Sequence, residues 1–164
     1  MQEILSGLDI SRKTQRIAHQ LIENTFQEER VFIGGIAGNG EIVAQRIAEI
    51  VRNNIDAEVI EFSIHVNKEQ PWSDDINISI DRADMENSYI VLVDDVLNSG
   101  KTMQYALNEL LQFPSKAIKT VALVDRKHRR FPIKADFVGL SLSTTLKERV
   151  EVELKNGKEK AYLV

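Results

Sequence analysis

Two adjacent aspartates, Asp94 and Asp95, follow an apolar run and precede a turn that ends in the letters GKT. The whole stretch, 90–102, reads IVLVDDVLNSGKT. Such a turn is typical of phosphate sites, in which backbone N–H groups and hydroxyls face an anion. Carboxylates repel phosphate oxygens, but they accept hydrogen bonds from sugar hydroxyls and bind Mg²⁺ directly or through water. The combination therefore predicts a site for a phosphorylated sugar.

A ribose 5-phosphate fits this order of groups, with the phosphate on the turn and the two acids one sugar length back. The carboxylates would also stabilise positive charge that develops on the ribose ring. A nucleoside triphosphate P-loop is excluded, because its first glycine would fall at position 95, where a carboxylate stands. The residues predicted to hold the phosphate are Leu97, Asn98, Ser99, Gly100, Lys101 and Thr102.

Composition indicates an ordinary globular chain. Its 164 residues favour one domain, with 43% apolar and 28% charged residues. There is no cysteine, which excludes disulfides and thiolate metal sites and favours a cytoplasmic protein. No apolar run reaches membrane-spanning length. The net charge of −4 argues against nucleic-acid binding over the whole surface, although a local basic patch remains compatible with it.

The elements that must position the acids alternate between helices and strands. Apolar spacing predicts a helix over 11–29 with Ser11 as its N-cap, a second marked by Val43, Ile47, Ile50 and Val51, and a third that stops before Pro114. Strands are predicted at 31–36, 58–66, 76–81, 89–93, 119–125 and 136–142, and a C-terminal hairpin around Asn156-Gly157. This alternation predicts a mainly parallel sheet with helices on both faces, and a ligand site at the carboxyl ends of its strands.

The stretch VLVDDVLNSGKT resembles the phosphoribosyl-pyrophosphate (PRPP) motif of type I phosphoribosyltransferases. The resemblance extends along the chain to one branch, the bifunctional pyrimidine operon attenuator/uracil phosphoribosyltransferase family. It covers LVDRKHRRFPIKADFVG (123–139), RIAHQLIE (16–23) and TTLKERVEVEL (144–154), whereas 52–88 is poorly matched.

This resemblance implies a type I phosphoribosyltransferase fold in one domain, with a flexible loop at about 66–76 and a small C-terminal hood at about 137–164. It implies transfer of ribose 5-phosphate from PRPP to uracil with Mg²⁺ bound through Asp94 and Asp95. The base would contact Phe137 and Val138. Purine-specific relatives place an aspartate at position 98, so Asn98 favours uracil and pyrimidine salvage. A homodimer or a larger homo-oligomer is also implied.

A basic segment, RKHRRFPIK (126–134), carries five positive charges and no acid. Its simplest interpretation is a solvated loop. In the resembled family a basic surface binds a messenger RNA leader, and the residues at matching or neighbouring positions are Arg16, His19, Arg129, Arg130 and Arg149. The resemblance thus adds transcription regulation as a second role.

The family pattern breaks on the side expected to bind pyrophosphate. Where the family carries Thr-Arg-Gly after its first strand, this chain has Gly38, Asn39 and Gly40, and the Tyr-Arg pair of the mobile loop is replaced around Lys68. Backbone donors remain without the arginine forks. The alternative to an active enzyme is therefore a catalytically weak or inactive nucleotide-sensing regulator on the same fold. A dinucleotide-binding turn at 38–40 is disfavoured, because Val43 stands where a third small residue belongs.

Overall fold

The computed structural model describes residues 1–155 and 157–164 and contains nine strands and three α-helices within them. The helices are α1 (Gly7–Thr25), α2 (Asn39–Arg52) and α3 (Lys101–Leu110), and Arg82–Met85 forms a 3₁₀ turn. The strands are β1 (Gln2–Ser6), β2 (Arg30–Ile36), β3 (Glu58–His65), β4 (Asn77–Ile78), β5 (Tyr89–Leu97), β6 (Ala117–Asp125), β7 (Phe137–Ser141), β8 (Val150–Glu153) and β9 (Lys160–Leu163).

Six strands form the central sheet in the order β4-β3-β2-β5-β6-β7. All neighbours are parallel except β3 and β4, which pair antiparallel. The predicted mainly parallel α/β fold is confirmed. Strand β5 lies at the centre because its first six residues are all buried, as a strand covered on both faces requires.

Two apolar clusters cover the two faces of this sheet. Residues of α1 and α2, including Leu21 and Ile47, pack with Val91 and Val93 of β5. Residues of α3, including Met103, pack with the alternate side chains of the same strand, such as Leu92. The period-two alternation of the strand thus divides one apolar run between two cores.

A second sheet of three strands, which we call the hood, has the order β1-β9-β8. Strands β8 and β9 pair antiparallel, as the predicted hairpin requires. The predicted turn includes Asn156, which lies outside the described residues. The hood takes its third strand from β1, which sequence patterning missed, and β7 belongs to the central sheet although 137–164 was expected to form the hood.

Helix α1 starts four residues earlier than predicted, and the N-cap is Ser6 rather than Ser11. The Ser6 hydroxyl accepts from the Asp9 N–H at 3.1 Å, and the Asp9 carboxylate accepts from the Ser6 N–H at 2.9 Å. These hydrogen bonds lower the pKa of Asp9. This capping box decides the boundary, because it satisfies two donors that a helix start otherwise leaves free.

Two further boundaries also differ from the predictions. Helix α1 ends at Thr25 rather than near 29, and only Asn77–Ile78 of the predicted strand 76–81 pairs with β3. An alternating pattern shows which face a segment can bury, but not how many backbone hydrogen bonds its neighbour offers. No helix among the described residues is long and apolar enough to cross a membrane.

Candidate active site

The candidate site lies at the carboxyl ends of β2, β5 and β6, where a parallel α/β sheet binds its ligands. Strand β5 continues through both acids to Leu97, because Asp94 pairs with Ala122 and Leu97 with Asp125 of β6. Regular strand pairing therefore fixes the backbone of the two acids before any ligand binds.

Asp94 is a buried carboxyl group, only 5% exposed. Burial, and then the neighbouring charge of Asp95, raise the pKa of Asp94 well above its usual value. The Lys68 ammonium opposes this shift, which places a positive charge from the β3–β4 loop near the acid. Asp94 Oδ1 accepts from the Asp95 N–H at 2.8 Å, and Asp95 Oδ1 accepts from the Val96 N–H at 2.8 Å. The two carboxylates are thus held in distinct orientations.

The predicted phosphate turn is held by the segment that follows β6. Gly100 has a φ of 88° and is the N-cap of α3. A Cβ at Gly100 would lie 2.6 Å from Ile133, so both backbone and packing require glycine there. The Ser99 carbonyl accepts from the backbone N–H groups of Arg130 at 2.8 Å and Phe131 at 3.1 Å.

One pocket brings the predicted sugar and phosphate residues together. Its lining contains both aspartates, the whole turn, and Lys68. The predicted residues found there are Asp94, Asp95, Leu97, Asn98, Ser99, Gly100, Lys101 and Thr102. The Lys101 side chain turns away from the turn, since its Nζ donates to the Glu69 carbonyl at 2.9 Å. The contribution of Lys101 to the pocket is therefore its backbone.

The Gly38–Gly40 segment packs directly against the acids. Asn39 Nδ2 donates to Asp95 Oδ2 at 3.1 Å and to the Val152 carbonyl of β8 at 2.8 Å. A Cβ at Gly40 would lie 3.0 Å from the Val93 carbonyl and 3.1 Å from Asp94 Oδ1. Asn39 therefore joins the central sheet to the hood through one carboxylate of the site.

The two helices that start at the site differ from α1 in how their N-termini are capped. The N-terminus of α1 is capped by the Ser6 side chain, whereas the N-cap residues of α2 and α3, Gly38 and Gly100, have no side chain that could cap the helix. At α3 one N–H group, that of Lys101, donates to Ser99 Oγ at 3.2 Å. An uncapped helix start leaves N–H donors for an anion, and the helix dipole favours negative charge there. The two uncapped helices are those that start next to the aspartates.

Sequence analysis assigned no individual role to Arg126, which follows β6 and is 9% exposed. Its Nη1 donates to Asn98 Oδ1 at 3.0 Å, and its Nε donates to Thr144 Oγ1 at 3.1 Å. Its Nη2 donates to the Glu148 carbonyl. Arg126 thus connects the phosphate turn to the loop after β7. The sequence offered one signal for Arg126. It directly follows the buried strand β6, and ligands were expected at the carboxyl end of that strand.

The predicted base contacts, Phe137 and Val138, lie at the start of β7. Val138 pairs with Ala122, which also pairs with Asp94, so Val138 lies level with the first aspartate of the pocket, two strands away from it, and Phe137 lies one residue earlier. Phe137 packs partly buried against the apolar cluster of α1 and α2. The base contact at Phe137 and Val138 therefore stays a prediction, and the loop that continues from Ser141 lies further along the same edge of the sheet.

Of the residues predicted to contact RNA, three have partners within the chain. Arg16 Nη2 donates to the carbonyls of Val138 at 2.9 Å and Gly139 at 2.8 Å. Arg129 Nη2 donates to Asp125 Oδ2 at 2.6 Å. Arg149 pairs with Glu151 at 3.0 Å and stays exposed, and His19 and Arg130 are also exposed.

The 66–76 loop contacts the start of α3. Besides the Lys101 hydrogen bond to Glu69, the Lys101 Nζ lies 5.9 Å from the centre of the Trp72 ring, and the Trp72 and Tyr105 ring centres are 6.3 Å apart. Trp72 itself is 64% exposed. The loop thereby brings Lys68 beside the pocket.

Comparison with known proteins identifies the family. The family model described as "Phosphoribosyl transferase domain" matches residues 1–155. The chain belongs to the phosphoribosyltransferase family. Its catalogued relatives include "Bifunctional protein PyrR" of Pediococcus pentosaceus, 33% identical over 92% of this chain and 90% of that protein. The protein of the same name from Corynebacterium glutamicum is 36% identical over 93% of this chain and 85% of its own.

Solved structures confirm the phosphoribosyltransferase fold. A hypoxanthine-guanine phosphoribosyltransferase from Bacillus anthracis has a TM-score of 0.77 and 18% identity, and the match covers 100% of this chain and 98% of the other. A hypoxanthine phosphoribosyltransferase from Staphylococcus aureus has a TM-score of 0.73 and 19% identity, over 92% of this chain and 81% of the other. At such identities the match concerns the fold and carries no information on the base.

Proposed function

We propose that the protein transfers ribose 5-phosphate from PRPP to uracil and releases pyrophosphate, in the cytoplasm and as a homo-oligomer. The main support for this transfer reaction is that one pocket is lined both by the two aspartates and by the turn that leads into α3. The choice of uracil is supported by Asn98 and by relatives that share the PyrR name.

Binding of the sugar phosphate follows from the order of groups along the pocket. The N–H groups at the start of α3 and the hydroxyls of Ser99 and Thr102 would hold the 5′-phosphate. Asp95 would accept hydrogen bonds from the ribose hydroxyls, and the buried Asp94 lies directly behind it. With this order, C1′ of the ribose would lie above the centre of the sheet.

The donor set fits Mg²⁺ only in part, because Mg²⁺ takes six oxygen ligands. Among residues 1–155 and 157–164, no group of three or more His, Cys, Asp or Glu side chains is placed to hold a metal ion. Asp94 and Asp95 would therefore hold the ion together with substrate oxygens and water. The ion would supply positive charge to the pyrophosphate, where the chain lacks the arginine of the family.

Departure of pyrophosphate leaves positive charge on the ribose ring, and N1 of uracil forms the new bond to C1′. The negative potential of the two aspartates stabilises that charge, and the fixed turn orients the sugar. The chain itself contributes mainly position and charge, because no side chain has to form a covalent bond with the substrate.

A panel of bases tests this proposal. Purified protein is incubated with PRPP and Mg²⁺ and with uracil, cytosine, hypoxanthine or guanine, and mononucleotide formation is measured by chromatography. We expect uridine monophosphate alone. Purine nucleotides as the main products would contradict the choice of base, and no product from any base would favour the nucleotide-sensing alternative.

A second role in binding the RNA leader of a pyrimidine operon is supported by the basic segment. Its exposed cations include Lys127, Arg130 and Lys134, whereas Arg129 is paired with Asp125. Replacing Arg130 and Lys134 by Glu should weaken RNA retention on filters, and the affinity of the unmodified protein should fall steeply with salt. Lys158→Glu, an exposed hood position, is the matched control. Equal loss in the control, or no retention at low salt, would contradict the RNA role.

A further inference from the structure

Arg126 carries a buried positive charge that no carboxylate in the described part of the chain contacts directly. Within residues 1–155 and 157–164, its guanidinium takes part in no ion pair within 4.0 Å. Its hydrogen-bond partners are an amide, a hydroxyl, a histidine ring and backbone carbonyls. Burying an arginine without a carboxylate costs free energy, which a bound anion would offset.

The charged side chains around Arg126 form no ion pair with its guanidinium among the residues that the structure describes. Asp125 is bonded to Arg129. The Glu148 carboxylate accepts from the Thr145 N–H at 2.7 Å, and this hydrogen bond, with a smaller contribution from the nearby Arg126 charge, lowers the pKa of Glu148. His128 Nε2 contacts the Thr144 carbonyl, so Nε2 carries the proton, and Nδ1 accepts from Arg126 at 3.3 Å. Lys127 is exposed to solvent and adds positive charge.

Sheet order places this charge on one side of the expected sugar. Strand β5 lies between β2 and β6, so Gly38–Gly40 and Arg126 follow strands on opposite sides of the aspartates. Displacement at C1′ brings the incoming group to the ring face opposite the leaving group. If pyrophosphate leaves above β2, the base enters above β6. Arg126 reaches that side through Asn98, a residue of the pocket lining.

We infer that Arg126 lowers the pKa of the bound uracil base, so that uracil reacts as its N1 anion. This inference rests on the proposed function. Uracil N1–H releases its proton to water, the N1 lone pair forms the bond to C1′, and the electrons of the broken C1′–O bond leave with pyrophosphate. A positive charge in a poorly solvated site favours the ionised form of an acid beside it. Arg126 acts through Asn98 and is a positioning and electrostatic residue.

The experiment compares uracil with 5-fluorouracil, whose N1–H is more acidic. In Arg126→Gln, kcat/KM should fall about 100-fold with uracil, which corresponds to a two-unit change in the pKa of the bound base. With 5-fluorouracil the loss should be at least about tenfold smaller, because less ionisation has to be induced. Arg126→Lys, which keeps the charge, should recover part of the loss with uracil.

Arg129→Gln is the matched control, since it removes a charge from the same loop that is already paired with Asp125. It should reduce turnover of both bases by the same factor. Equal losses for the two bases in Arg126→Gln would overturn the inference and assign Arg126 a purely structural role.

A second measurement uses the unmodified protein. The ultraviolet absorption of 5-fluorouracil changes on ionisation, so a titration with ribose 5-phosphate and Mg²⁺ present reports the form that binds. We expect the anion spectrum at a pH where the free base is neutral. The neutral spectrum would overturn the inference. A protein that makes uridine monophosphate but binds the neutral base contradicts only the inference, whereas one that turns over no base contradicts the proposed function.

Discussion

The N-termini of α2 and α3 both lie at the site, but they differ in the protein groups that contact them. At α3 the turn is held from behind by the segment after β6, through the N–H groups of Arg130 and Phe131 and the Ile133 side chain, and the residues of the turn line a pocket. At α2 the first residue, Asn39, donates to Asp95 and to Val152 of the hood. The half proposed to bind the sugar phosphate is therefore held in place without a ligand, whereas the half proposed to bind pyrophosphate contributes a contact within the protein. A family motif can thus persist in one half of a site while the other half is used to connect sheets.

The largest expected effect is on the sugar-phosphate half. Replacing both Asp94 and Asp95 by Asn should abolish PRPP binding in titration calorimetry with Mg²⁺, because the carboxylates that accept ribose hydroxyls and hold the ion are gone. The fold should persist, since an Asn oxygen can still accept the N–H bonds seen at these positions. Unchanged affinity in a folded variant would contradict the assignment of the acids.

The preformed turn can be tested with a pair of glycines. Gly100→Ala should weaken binding of uridine monophosphate at least about tenfold and destabilise the protein by more than about 1–2 kcal/mol, the typical cost of a left-handed backbone with a side chain. Gly157→Ala is the matched control, because Gly157 has a φ of 77° but has no atom within 4 Å of a Cβ. It should lower the free energy of unfolding alone. Equal affinity in both variants would mean that the turn adapts to its ligand.

A substitution in the Gly38–Gly40 segment should have a smaller effect, and it should raise activity rather than lower it. Asn39→Arg should raise turnover about tenfold, since one charge-assisted hydrogen bond contributes about 1.5–3 kcal/mol and each 1.36 kcal/mol is a factor of ten. The new hydrogen bond stabilises the transition state, but the substitution also removes the hydrogen bonds from Asn39 to Asp95 and Val152, so the net increase in turnover is at the lower end of that range. Gly38 should stay unchanged, because its φ of 100° and ψ of −133° disfavour any side chain.

Asn39→Ala supplies the control for that substitution, because it breaks the same contacts without adding a donor. Its turnover should not exceed that of the unmodified protein. If Arg and Ala at position 39 give the same rate, the missing arginine is not what limits this site.

The smallest expected effect concerns stability and pH. The pKa of Asp94 is raised in the folded protein, so its ionisation opposes folding: the neutral form adds stability at low pH, and that stability is lost as pH rises through the folded pKa. Asp94→Asn removes this penalty. Its melting temperature should exceed that of the unmodified protein by a margin that grows as the pH rises above the ordinary pKa of an aspartate, about 4. A margin that shrinks with rising pH would contradict the burial of this charge.

The sequence predicted the central sheet well, because buried parallel strands such as β5 are continuous apolar runs and the acids and turn follow directly in the chain. It could not predict the partners of Asn39, which lie 56 and 113 residues away. Arg126 was obscured by the other cations of its segment, since composition does not show which of several neighbouring arginines is buried. Strand β1 was missed because the strand it pairs with, β9, lies more than 150 residues later in the chain.

The pairing of β1 with β9 also bears on the order of events during synthesis. Gln2 lies opposite Leu163, so β1 leaves the ribosome early and has to wait for β9 to be translated. The hood therefore closes last, and with it the hydrogen bond from Asn39 to Val152. We expect a nascent chain to hold a largely assembled central sheet, and to complete the neighbourhood of Asp95 only after the final strand has docked.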